Sequence, residues 1–118
     1  MKKLFLSLIL ALTAVAHADN LPTDNREILT HCNFMAQFAA IYAEARHKGM
    51  TGAELANEIK ELQEDKDFPD DIKKEIATAI IIGFKAGGEI DDPRKIGELT
   101  MQACVNYHRE RLGKPKLE

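Results

Sequence analysis

The chain has 118 residues, of which 16 are Lys or Arg, 19 are Asp or Glu and 4 are His, so its formal charge is −3 with the histidines neutral. An acidic balance excludes nucleic acid and anionic lipid as general partners, because both need a basic surface. No repeat, linker or low-complexity tract divides the chain, and its length fits one domain.

The N-terminus has three parts in order: Lys2 and Lys3, an apolar run from Leu4 to Ala16, and the small residues Ala16 and Ala18 around His17. Basic flank, apolar core and small-x-small end have the form of a secretory signal, with cleavage expected before Asp19. The apolar run is shorter than the roughly 20 residues that a membrane-spanning helix needs. The sequence therefore predicts a signal peptide over 1–18 and a single helical domain over 19–118, in the periplasm or secreted, with no stable membrane insertion after cleavage. Loss of Lys2 and Lys3 takes the charge from −3 to −5.

From Asp24 to Lys48, Ile28, Cys32, Met35, Ala39 and Tyr42 recur at helical spacing. Asp24 is placed to cap the first amides, Arg46, His47 and Lys48 suit the negative end of the dipole, and Gly49 supplies a left-handed stop. Thr51 with Glu54 forms a capping box for a second, shorter helix carrying Leu55, Ile59 and Leu62. Pro69 opens a third helix whose stripe is Ile72, Ile76, Ile80 and Phe84. Between Ile76 and Phe84 that helix is apolar nearly all round, which marks either the centre of the domain or a surface buried on another molecule. Asp92-Pro93 begins a fourth helix through Ile96, Leu99, Met101, Cys104, Val105 and His108, ended by Gly113 and Pro115. Short connections predict antiparallel neighbours, so the expected fold is all-α, a compact four-helix domain.

Two cysteines in an exported chain are expected to pair, which joins Cys32 in the first helix to Cys104 in the last. In antiparallel helices, facing residues then carry numbers summing to about 136, matching Met35 with Met101, Ala39 with Gly97 and Ile28 with His108.

His31, Cys32, Cys104 and His108 supply two nitrogens and two sulfurs, the donor types of a structural zinc site. Adjacent helical residues diverge by about 100°, so His31 and Cys32 do not suit one ion, and the cysteines are expected to consume each other. No metal is expected. The acidic run Glu64, Asp65, Asp67, Asp70 and Asp71 lacks the central glycine of a calcium loop and is expected to serve as caps and solvated charge. No serine remains after the signal, which leaves no marked nucleophile. Ile81, Ile82, Gly87, Gly88 and Glu89 are the candidate partner-contact residues: two isoleucines off the helix stripe, followed by a flexible acidic turn.

Val105-Asn106-Tyr107-His108-Arg109 locally resembles the heme-ligating last helix of cytochrome b562-type bundles. The expected register keeps Met35 two turns from His108, and no Cys-x-x-Cys-His attachment is present, so no cofactor is expected. The layout of Cys32, Ala45-Arg46 and Gly49 closing the first helix, and Cys104 in the last resembles small exported two-cysteine helical bacterial proteins. That resemblance implies a helical fold and a disulfide, and no activity. The leading expectation is a non-enzymatic envelope protein working by contact with another envelope protein or with itself as a homodimer: an immunity protein, an inhibitor or a stress chaperone. The alternative is a helical bundle that binds a small molecule or heme.

Overall fold

The computed structural model describes residues 21–115; the signal-like segment over 1–18 and its cleavage site lie outside the described residues. Three of the four helices among the described residues start at a residue whose side chain accepts from an orphan amide, and α3 starts after a proline with no side-chain cap. α1 (Asn25–His47) is capped by Asp24, whose Oδ1 accepts from the Glu27 amide at 2.9 Å. The Glu27 carboxylate reaches back to the amide and hydroxyl of Thr23. α2 (Gly52–Glu64) carries the full reciprocal box between Thr51 and Glu54. α3 (Asp70–Ala86) has Pro69 as its N-cap, so the helix begins one residue later than the sequence suggests. α4 (Pro93–Arg111) is capped by Asp92, with Pro93 in its first turn. Gly49 ends α1 at φ +105° and Gly113 follows α4 at φ +75°, both in the left-handed region. No strand occurs among the described residues.

α1 is the shared element. α3 and α4 both pack along it and touch each other little. α3 runs parallel to α1: Ala39 meets Gly83, Ala43 meets Gly87, and His31 meets Glu75, always 44 residues apart. α4 runs antiparallel, bonded to α1 through Cys32–Cys104. The parallel pair is possible because α2 carries the chain back across the core, contributing Leu55 and Leu62 to a cluster with Phe34, Phe38, Tyr42, Phe68, Ile72, Ile76 and Ile80.

The contact between α1 and α3 is close enough to exclude a methyl group. A Cβ at Gly83 would lie 2.1 Å from the Ala39 carbonyl oxygen, and one at Gly87 2.9 Å from the Ala43 Cα. Gly87 has a right-handed backbone, φ −60°, so the missing side chain serves the approach rather than the turn. Arg46 and His47 then act on α3: Arg46 Nη1 donates to the Phe84 carbonyl at 2.9 Å and its guanidinium stacks on the Phe84 ring. His47 Nε2 donates to the Gly87 carbonyl at 2.7 Å. Residues expected to complement the end of their own helix satisfy the end of its neighbour.

The antiparallel register predicted from the disulfide holds in direction and shifts in detail. Gly97 lies against the Ala36 carbonyl and the Ala40 methyl, because Ala39 faces α3. Met35 joins the main core, whereas Met101 packs with Ile28, Cys32 and Val105. A helix gripped on two sides cannot present one stripe to a single neighbour. Ile76–Phe84 divides accordingly: Ile76, Ala79, Ile80 and Gly83 are buried, Ile81 and Phe84 are half-buried, and Ile82 is exposed.

One polar pair sits in this core. Tyr42 donates its hydroxyl to Glu58 Oε1 at 2.7 Å, while Glu58 Oε2 is buried with no hydrogen-bond partner. Burial pushes the Glu58 carboxyl above its ordinary range against the opposing pull of the tyrosine hydroxyl, and burial raises the Tyr42 phenol as well. A carboxyl raised on folding favours the fold below its unfolded value and loses that contribution as pH rises through its folded value. Glu58→Gln, which keeps an acceptor for Tyr42, should therefore be more stable than the parent at neutral pH, with the difference closing towards about pH 4; urea midpoints across pH check this. Gly83→Ala should cost about 2 kcal/mol or more in the same assay through forced separation of α1 and α3. Gly97→Ala, whose Cβ meets nothing nearer than 3.5 Å, should leave the midpoint close to that of the parent.

Candidate functional site

The disulfide is the starting point of the site. Cys32 and Cys104 are bonded, 72 positions apart in sequence and with Cα atoms 5.5 Å apart. Closing a loop of that length contributes roughly 4 kcal/mol in the chain-entropy account. It also places two histidines: His31 immediately precedes Cys32, and His108 follows Cys104 by one helical turn. Their rings meet edge to face with centroids 4.9 Å apart.

Glu75 of α3 closes the cluster. Its Oε1 lies 2.9 Å from His31 Nε2 and 2.7 Å from His108 Nε2. On the far side of the His108 ring, Arg111 Nε donates to Nδ1 at 3.1 Å. A guanidinium has no acceptor to offer, so Nδ1 carries the lone pair and Nε2 carries the hydrogen that points to Glu75. Arg111 is anchored in turn on the Pro22 carbonyl. His108 is fully buried. Burial works to raise the Glu75 carboxyl, but hydrogen bonds from His108 and His31 overcome it and hold the group down at about 2. Its Oε2 is buried and has no hydrogen-bond partner. Donor atoms of His31, Glu75, Cys104 and His108 all lie within 4.8 Å of one another. The Cys104 sulfur is bound to Cys32, so the residues able to hold a metal are two imidazoles and one carboxylate.

Beside the cluster runs a groove of about 550 Å³ between α3 and α4, reached by Glu75 and Cys104 at one end and by Ala86 and Ile96 at the other. It exists because both helices spend their contact on α1. Met35 of α1 borders it, and Ile82, Leu99 and Tyr107 stand exposed along it. These are three of the four large hydrophobic residues exposed among the described residues. Thr78 and Thr100 also line the groove, but their hydroxyls donate to the Lys74 and Ile96 carbonyls of their own helices, each at 2.8 Å. The wall is apolar in effect, with charge confined to Glu75 and Lys74.

Of the candidate contact residues, Ile82 lies on this groove and Ile81 is half-buried beside it in sequence. Gly87 is buried against Ala43, Gly88 packs on the Arg46 guanidinium, and Glu89 is exposed at the turn. Sequence reasoning brought together His31, His108 and the cysteines, and passed over Glu75. A signal was present: Glu75 sits three residues after Ile72 and four before Ala79, a carboxylate on the buried stripe of α3.

Set against known proteins, the chain matches no family model, no curated protein and no solved structure.

The cluster makes a direct spectroscopic prediction. Long-range proton–nitrogen NMR should find His108 as the Nε2–H tautomer; the Nδ1–H form would contradict the Arg111 contact. Glu75→Gln, which removes the charge that accepts both imidazole donors, should lower unfolding stability by about 1–3 kcal/mol.

Proposed function

We propose that this protein is an exported binding protein that holds a small, mainly apolar molecule in the groove between α3 and α4. The observation that carries this reading is the groove itself: about 550 Å³, mainly apolar, with charge confined to Lys74 and to the partly buried Glu75 carboxylate. Small-molecule sites commonly enclose about 300–1,000 Å³ and pair apolar walls with a few placed polar groups. Met35 adds an adaptable thioether. Export is supported by the signal-like order of Lys2 to Ala18 and by the disulfide, a bond that persists in oxidising compartments. No helix among the described residues is long and apolar enough to cross a membrane.

A second reading keeps the partner contact expected from sequence and places it on the same face. Its support is the exposure of Ile82, Leu99 and Tyr107, which extends apolar surface beyond the concavity.

A neutral phenylnaphthylamine dye distinguishes the two. The parent should bind it saturably, one per chain, with enhanced fluorescence. Ala103→Trp, which enlarges an exposed lining residue, should weaken binding about tenfold or more with an unchanged melting temperature. Equal dye binding by the two proteins would remove the ligand reading. A dimer in sedimentation that dissociates on Leu99→Glu would favour the partner reading.

A further inference from the structure

We propose that His31, Glu75 and His108 form a binding site for a divalent ion of the zinc class, latched shut by Arg111. Three helices contribute one donor each, and both imidazole Nε2 atoms converge on the same carboxylate oxygen, at 2.9 and 2.7 Å. The other oxygen of that carboxylate is buried without a partner. An ion among the three groups takes the place of the hydrogens they share and gives Oε2 the electrostatic partner it lacks. Two imidazoles and one carboxylate are the protein donor set of zinc sites that keep a further position open. The site is mostly enclosed: His108 is fully buried, and the His31 and Glu75 side chains are 10 % and 20 % exposed.

The group behind His108 sets the condition for binding. A metal-bound histidine ordinarily donates its remaining N–H to a carbonyl, carboxylate or water. Here the group behind the ring is a donor, Arg111 Nε, which specifies hydrogen on Nε2, the nitrogen the ion needs. Loading therefore moves that hydrogen from Nε2 to Nδ1 and turns Arg111 away into solvent, which its exposed position allows. The Nε2 hydrogen of His31 moves to its own Nδ1 in the same way, so each neutral imidazole keeps one hydrogen, Glu75 stays a carboxylate and no net proton is released. Ion and guanidinium compete for one ring.

Competition gives the test a sign that a merely structural cluster would not reproduce. Zinc is titrated into the full, disulfide-intact chain by calorimetry, with cobalt(II) visible absorption as the second readout. One ion per chain is expected. His108→Gln and Glu75→Gln should weaken binding about tenfold or more, and Arg111→Ala should tighten it about fivefold or more. His47→Gln, outside the site, should leave it unchanged. Ala103→Trp should also leave it unchanged, which keeps this inference separate from the groove reading. Three results overturn the proposal: no binding by either the parent or Arg111→Ala; binding that survives His108→Gln; or binding weakened or unaltered by Arg111→Ala. Because Arg111 is exposed, that variant decides the matter even if Glu75→Gln fails to fold.

Discussion

The approach of α3 to α1 at Gly83 and Gly87 is the constraint on which the rest of the molecule depends. With no side chain between Gly83 and Ala39, the two helices lie close enough to lock one parallel register. Two turns earlier, that register puts Glu75 opposite His31. The disulfide brings α4 to the same level of α1 from another side, and His108 arrives on the same carboxylate. Because both helices are committed to α1, the space between them is left as the groove. Cluster and groove are two consequences of one packing arrangement.

Two glutamates, Glu58 buried and Glu75 partly buried, show how neighbours decide what burial does. Each has one oxygen in a hydrogen bond and one buried without a partner. Glu58 receives a single neutral donor from Tyr42, too little to offset desolvation, and its carboxyl is raised. Glu75 receives two imidazole donors on one oxygen, which outweigh desolvation, and its carboxyl is lowered. Burial disfavours the charged form of Glu58, whereas the two imidazoles favour that of Glu75 between three helices. The second arrangement is the one suited to a cation.

Much of the fold was legible because it depends on local chemistry. Asp24, Thr51 and Asp92 cap where capping residues should, Gly49 takes the left-handed stop, and the stripe residues Ile28, Cys32, Met35, Ala39 and Tyr42 of α1 and Ile72, Ile76 and Ile80 of α3 are buried, although burial in α1 extends beyond the stripe to Phe34, Phe38 and Ala43. The disulfide follows from a composition with two cysteines and from the expectation of export. The contact partners were less legible. Arg46 and His47 were placed at the right end of α1, but the carbonyls they satisfy belong to α3. The antiparallel register set by the disulfide pairs Met35 with Met101, and the second neighbour of α1 separates them.

The helices, their ends, the all-α class and the cysteine pair can be read from the residues alone, since each rests on residues near one another or on the only available partner. Tertiary structure decided that α1 and α3 run parallel, that Glu75 joins two histidines from other helices, and that an apolar groove opens beside them. The reason is geometric. A periodic stripe says which side of a helix is buried, but the distance of closest approach says against what, and that distance rests on Gly83 and Gly87, which in sequence look like helix-weakening and helix-ending residues.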